Sequence, residues 1–343
     1  MPAAVYQGGG RLAVQELPVP TAGLDEVLVE VSHCGVCGTD LHLVLEEIAR
    51  PGAVLGHEWA GTVAAWGEDV SGWSVGEAVV AAPEPRCGVC RACRRGRPSV
   101  CLHREPPDYF SFRGAYTRYV TVPAHRLARL PAGLSTRVAA LTEPTAIALH
   151  AIDLATASGL ERGDAVLVSG AGPIGLLVTA VLKAQGIDDI TVVEPSPLRR
   201  SRAQAVGATR VIEPADLGPP PMGRTVERPF PAAFECSGKA AAAAAAMDQL
   251  DFAGVFVFVG TGHDPTPVNH NRVIILEHTL LGAVNYGPNG FGPALALLAS
   301  GALPTDQLIE PGDVPLDALD GTMRALARAE IGGKVLVRPE VAP

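Results

Sequence analysis

Aromatic residues make up only 5% of this 343-residue chain, which leaves few rings to line a pocket. Trp59, Tyr109, Phe110, Phe112 and Tyr286 are the candidates, with core packing the ordinary role for such residues. A long basic run is also missing. With a formal charge of −9 spread along the chain, nucleic acid and anionic membrane surfaces are not expected partners. The short basic patch at Arg91, Arg94, Arg95 and Arg97 is the local exception. Residues 1 to 10 lack a charged segment followed by an apolar one, so a cytoplasmic location is expected. No apolar stretch runs unbroken for the length of a bilayer. The longest, from Ala165 to Ala184, is interrupted by Gly170, Gly172, Pro173 and Gly175 and reads as a strand, a turn and a helix.

At about 150 residues per domain, the length predicts two domains. Hydrophobic residues at 48% and charged ones at 18% fit a globular chain. Short Val-rich segments at Val27–Val31, Gly61–Ala65 and Glu77–Ala81 make the first third mostly β. After Pro144 the texture changes to strands alternating with helix-like stretches. Those strands are expected at Ala165–Ser169, Ile190–Glu194, Arg210–Ile212, Ala232–Glu235 and Val255–Val259, the pattern of βαβ units and a parallel sheet. The Pro- and Gly-rich segment Glu213–Phe230 reads as an irregular connection, and the alanine tract Ala240–Ala246 as a helix.

Gly170, Gly172 and Gly175 stand at G-x-G-x-x-G spacing directly after a predicted strand, with Pro173 and Ile174 opening the following helix. Such a turn lets backbone N–H groups approach a pyrophosphate at the helix N-terminus. The next strand ends at Glu194, where a carboxylate meets an adenosine ribose 2′-hydroxyl and repels a 2′-phosphate, so NAD is favoured. Arg199 and Arg200 offer the opposite reading, accommodation of NADP, or they simply face solvent.

Of the seven cysteines, Cys87, Cys90, Cys93 and Cys101 fall within fifteen residues. Four thiolates from one loop close a tetrahedron around a structural zinc and leave no place for substrate. An iron–sulfur cluster is the alternative for such a set. A second constellation is scattered: Cys37 in Cys34-Gly-Val-Cys37-Gly-Thr39-Asp40-Leu-His42, then His57 and Glu58 after Gly56, then Glu143 before Pro144. Cysteine, histidine and carboxylate suffice for a catalytic zinc with one open position. Taken singly, each has a bland reading: a small buried thiol, a turn histidine and a first-turn helix acid.

In order and spacing these motifs resemble the zinc-containing medium-chain dehydrogenase/reductase family, in its alcohol and polyol dehydrogenase branch, over nearly the whole chain. The resemblance implies an α/β fold: a GroES-like, mostly β catalytic domain over 1–145 with a zinc lobe at about 83–105, a doubly wound Rossmann domain over 146–288, and a return segment over 289–343. It implies Cys37 rather than Cys34 as the thiolate, His57 as the imidazole ligand, and either Glu58 or Glu143 as the third ligand. Thr39 is implied as the hydroxyl that takes the substrate proton, with His42 at the outer end of a relay or an ordinary surface histidine. Phe234–Gly238 matches the strand end beside the nicotinamide ribose, whereas the Pro-rich stretch after Glu213 has no counterpart in the family. Two zinc ions per chain, NAD or NADP, a small alcohol substrate and a homodimer or homotetramer paired along Leu280–Tyr286 complete the expectation. The enzymatic rival is a zinc-free enone reductase of the same superfamily, and the non-enzymatic one a nucleotide-binding protein that kept only the fold.

Overall fold

The computed structural model describes residues 1–81, 86–104 and 113–339. Tyr109, Phe110 and Phe112 lie outside these residues.

Val27, Val29 and Val31 are fully buried while Leu28 and Glu30 are only partly so, the alternation of a strand with one face on a core. That strand runs from Glu26 to Gly35 and pairs antiparallel with Glu58–Trp66 on one side and Tyr119–Pro123 on the other. Ala78–Ala81 and Leu127–Arg129 extend the sheet. A hairpin of Pro2–Gly8 and Arg11–Glu16, which carries no strong sequence signature, covers one end.

Six strands form the second sheet, all parallel. Their order is Arg210–Ile212, Ile190–Val193, Val166–Ser169, Phe230–Glu235, Leu250–Phe258 and Thr279–Gly282. Numbered along the chain this is 3-2-1-4-5-6, the doubly wound dinucleotide-binding order. Val166, Leu167, Val168, Ile190 and Val192 are fully buried, as central strands covered by helices on both faces must be. With few rings available, the helices pack close through small residues: Ala148, Ala151 and Ala155 of helix Thr142–Thr156 meet Leu177, Ala180 and Val181 of helix Pro173–Ala184 in one core.

The alanine tract is helical over Ala240–Met247. Residues 213–230 hold only a 3-10 turn at Pro214–Asp216. The edge expected along Leu280–Tyr286 is a strand only over Thr279–Gly282; beyond it Asn285 takes a left-handed φ of 57° and donates to the Ser99 carbonyl.

Beyond residue 289 the chain packs on both units. Leu298, Leu303 and Leu308 join the core of the parallel sheet. Leu316, Leu319 and Met323 join that of the antiparallel one, and Leu336–Val337 pairs with Gly35 and Cys34. Among the described residues no helix is long and apolar enough to cross a membrane.

Candidate active site and metal centres

Gly56 holds φ at +97°, and a Cβ there would stand 2.8 Å from the Cys34 sulfur and 3.0 Å from Tyr116. Only glycine permits that turn, and it delivers His57 and Glu58 to the start of a strand facing Cys37. Cys37 is the N-cap of helix Gly38–Leu45. The ligand atoms of Cys37, His57 and Glu58 lie within 4.8 Å of one another.

Three residues organise this cluster: Asp40 and Lys334, to which the sequence assigned no role, and Tyr286, expected there only as a pocket-lining ring. Asp40, 1% exposed, accepts the Tyr116 hydroxyl at 2.6 Å and the Cys37 amide at 3.3 Å, and stands 3.5 Å from His57 Nδ1. A carboxylate behind an imidazole fixes its orientation and leaves the other nitrogen for a metal. Lys334 is 2% exposed and donates to both Glu58 oxygens, at 2.7 and 2.6 Å, and to the Val36 carbonyl at 3.0 Å. Tyr286 donates to Glu143 Oε1 at 2.6 Å. Asp40 had a signal, an acid inside the quoted motif, whereas Lys334 lies 276 residues from its partner and had none.

Glu143 sits in the first turn of helix Thr142–Thr156, but it is not among the three mutually close ligands. Cys34 packs internally, and burial pushes its thiol well up, so it is no rival to Cys37. Trp59 is buried in the core of the antiparallel sheet rather than lining a pocket.

The electrostatics suit a cation. Burial works against protonation of His57, yet the Asp40 carboxylate and Cys37 outweigh it and hold the imidazole well above its ordinary value. Burial likewise opposes the charge on Lys334, but Glu58 and Cys37 raise it. Glu143 is pushed up by burial, with Glu58 adding to the effect. A thiol, an imidazole and a carboxylate with ligand atoms within 4.8 Å of one another fit a zinc ion.

Thr39 and His42 occupy the same helix three residues apart, hence one face. Thr39 is partly buried beside Cys37, and His42 is 36% exposed with its Nδ1 2.7 Å from Glu46.

All four cysteines of the lobe are free thiols whose sulfurs lie within 4.8 Å of one another. Cys87 to Cys93 is 3.9 Å and Cys87 to Cys101 is 3.5 Å. A tetrahedron with zinc–sulfur bonds of about 2.3 Å has edges of about 3.8 Å, so the four sulfurs are already spaced for the metal. The backbone amides of Cys93 and Leu102 bring the Cys90 thiol down to about 6, while burial and the Cys90 sulfur push Cys93 up to about 12, the opposite shifts of thiols that share a proton in one cluster.

At the dinucleotide turn Gly170 has φ of +94°, Gly172 caps the helix Pro173–Ala184, and a Cβ on Gly175 would fall 1.9 Å from the Gly170 carbonyl. Nothing would obstruct a Cβ on Gly172, which leaves open the side from which a phosphate approaches. Glu194, 4% exposed, accepts the Ala171 amide at 2.8 Å and the Ser196 amide at 2.9 Å. Arg199 points elsewhere: its guanidinium donates to the carbonyls of Leu326 and Ile331, tying the C-terminal return to the nucleotide unit. Arg200 donates to the Glu194 and Pro195 carbonyls and pairs with Glu213.

Residues 23–132 match the alcohol dehydrogenase GroES-like domain, and residues 173–300 match the zinc-binding dehydrogenase domain. A sorbitol dehydrogenase of Bacillus subtilis is 31% identical over 99% of this chain and 97% of its own. The chain belongs to the zinc-containing medium-chain dehydrogenase/reductase family. The dehydrogenase superposes on galactitol-1-phosphate dehydrogenase of Escherichia coli with a TM-score of 0.86 at 26% identity, over 99% of this chain and 100% of that one. An alcohol dehydrogenase of Escherichia coli CFT073 in complex with NADH gives 0.85 at 25% identity over 99% of both chains. The dehydrogenase is thus an α/β oxidoreductase of alcohols that depends on zinc and on NAD(P).

Proposed function

We propose that the dehydrogenase oxidises a secondary alcohol of a polyol or sugar-like substrate with NAD, using zinc held by Cys37, His57 and Glu58. The observation that carries the ligand assignment is the mutual approach of those three side chains. Glu143, tethered by Tyr286, takes an outer position beside them. The polyol class is supported by the sorbitol and galactitol-1-phosphate dehydrogenases among the similar proteins.

Bound by these residues, zinc would supply Lewis acidity towards the substrate oxygen, and the dinucleotide would supply the hydride acceptor. The chain's own residues do the rest. Asp40 sets the His57 ring, and Lys334, donating to both oxygens, orients the Glu58 carboxylate. The Thr39 hydroxyl takes the proton of the substrate alcohol while giving up its own towards His42, one helical turn along the same face, which releases a proton to solvent. The preference for NAD rests on Glu194 at the strand end and on the engagement of Arg199 with Leu326 and Ile331. Cys87, Cys90, Cys93 and Cys101 hold a second, structural zinc.

The unit division 1–145, 146–288 and 289–343 is supported by the two separate sheets and by the return strand Leu336–Val337. A homodimer or homotetramer is supported by the edge at Thr279–Gly282, unpaired on its outer side among the described residues, with Ile274 and Ile275 shortly before it at 69% and 57% exposure. A reducing, cytoplasmic setting is supported by seven cysteines all in the free form.

The test is nicotinamide absorbance with zinc-replete enzyme, NAD or NADP, and a panel of stereodefined polyols, cyclitols and simple secondary alcohols. Reduction of NAD by a polyol is the expected result. Turnover confined to enones would overturn it, and sedimentation as a monomer would reject the edge pairing.

A further inference from the structure

Where the relay assigned to His42 reaches the surface, two histidines and a glutamate from opposite units meet. His42 lies on helix Gly38–Leu45 and Glu46 follows it at the helix C-cap, an i, i+4 pair on one face. His263 reaches them from the segment after strand Leu250–Phe258 of the parallel sheet. His42 Nδ1 bonds one Glu46 oxygen at 2.7 Å, His263 Nε2 bonds the other, and the two rings meet edge to face with centroids 5.5 Å apart. One ligand atom from each residue lies within 4.8 Å of the other two.

We propose that His42, Glu46 and His263 form a zinc-binding site that bridges the catalytic and nucleotide-binding units. Zinc takes imidazole nitrogen and carboxylate oxygen at about 2.0–2.2 Å, which places neighbouring ligand atoms about 3.4 Å apart in a tetrahedron. The three side chains are 36%, 38% and 62% exposed, so small rotations bring their atoms to that spacing, and water fills the fourth position. Two ligands come from a single helix turn and are preorganised, and the third comes from the opposite unit. Binding therefore replaces one hydrogen bond within the helix turn, His42–Glu46, and one between the units, His263–Glu46, with coordinate bonds. It also occupies a ring nitrogen of His42, so the site acts as an inhibitory clamp, a consequence that rests on the relay role assigned to His42 above.

Holoenzyme with its other zinc sites filled is equilibrated with zinc buffered at micromolar free concentration, and bound metal is counted by atomic absorption. Wild type should retain one more equivalent per chain than His263→Ala or Glu46→Gln, and calorimetry should show affinity at least ten-fold weaker in either variant. Turnover should fall several-fold as that equivalent binds in wild type and stay constant in His263→Ala. Equal metal counts in wild type and both variants would overturn the site and leave a hydrogen-bonded contact. Uptake without inhibition would keep the site and overturn the relay role of His42.

Discussion

The Lys334 ammonium lies 2.6 and 2.7 Å from the two oxygens of Glu58, and both side chains are shut off from solvent. Removing one member of a buried pair strands the other charge at a cost of about 3–5 kcal/mol. Lys334→Met should therefore destabilise the enzyme by that amount in urea melts. Lys334→Met with Glu58→Gln should recover most of it, although zinc retention at the active site falls. Equal stability of the single and double variants would refute the pairing as the cause.

Cys37→Ser should abolish turnover while dinucleotide affinity, followed by NADH fluorescence, stays within about two-fold, since the glycine turn lies in the other unit. Serine in place of any lobe cysteine should remove one zinc per chain and lower thermal stability. Cys236→Ser should leave the metal count unchanged.

Tyr286→Phe takes away the hydrogen bond to Glu143 and leaves the ring that packs on Phe291. A hydrogen bond to a charged group contributes about 1.5–3 kcal/mol. If it is formed through the reaction, kcat/KM should drop at least about ten-fold, with the melting curve shifting less than for Lys334→Met. Unchanged kinetics would assign Tyr286 to packing.

Glu194→Ala should raise KM for NAD about ten-fold, the scale of one lost charged hydrogen bond, and reduce the preference over NADP. The zinc content should not change. A variant that still discriminates as wild type does would move the recognition of the ribose elsewhere.

Burial lowers His150, with Arg97 adding to the effect, and burial lowers His33 and His278 against opposing carboxylate or carbonyl partners. Below the ordinary value of 6.5, the unfolded chain binds protons on these histidines that the folded chain does not. Native stability therefore falls as pH drops from 6.5 toward the folded values, and is complete above 6.5. Urea melts across this range should show a shallower acid slope for His150→Gln than for wild type.

Much of this architecture was legible in the chain. The Val-rich segments and the glycine turn placed the strands within a few residues, since apolar periodicity and forbidden backbone regions are local properties. Strand Arg210–Ile212 agrees at both ends. The hairpin Pro2–Gly8 with Arg11–Glu16 escaped notice because its second strand is mostly exposed and lacks a clear alternation. Arg199 reads naturally as a phosphate partner from its position after Glu194, but the Leu326 and Ile331 carbonyls, more than a hundred residues away, claim its guanidinium.

Sequence by itself determined the donor types and their local spacing: four cysteines on one lobe, Cys37 at a helix start, His57 and Glu58 after a glycine, and a phosphate turn after a buried strand. Their chemistry follows from residue identity, and short chain separations bound their reach. Only the tertiary structure decided which carboxylate faces Cys37 and His57, that Lys334 neutralises it, that Tyr286 holds Glu143, and that His263 crosses to His42 and Glu46. Those contacts join residues hundreds of positions apart in several cases. They arise when the C-terminal return strand docks on Cys34 and Gly35 and the two sheets pack together, a condition that no local pattern encodes.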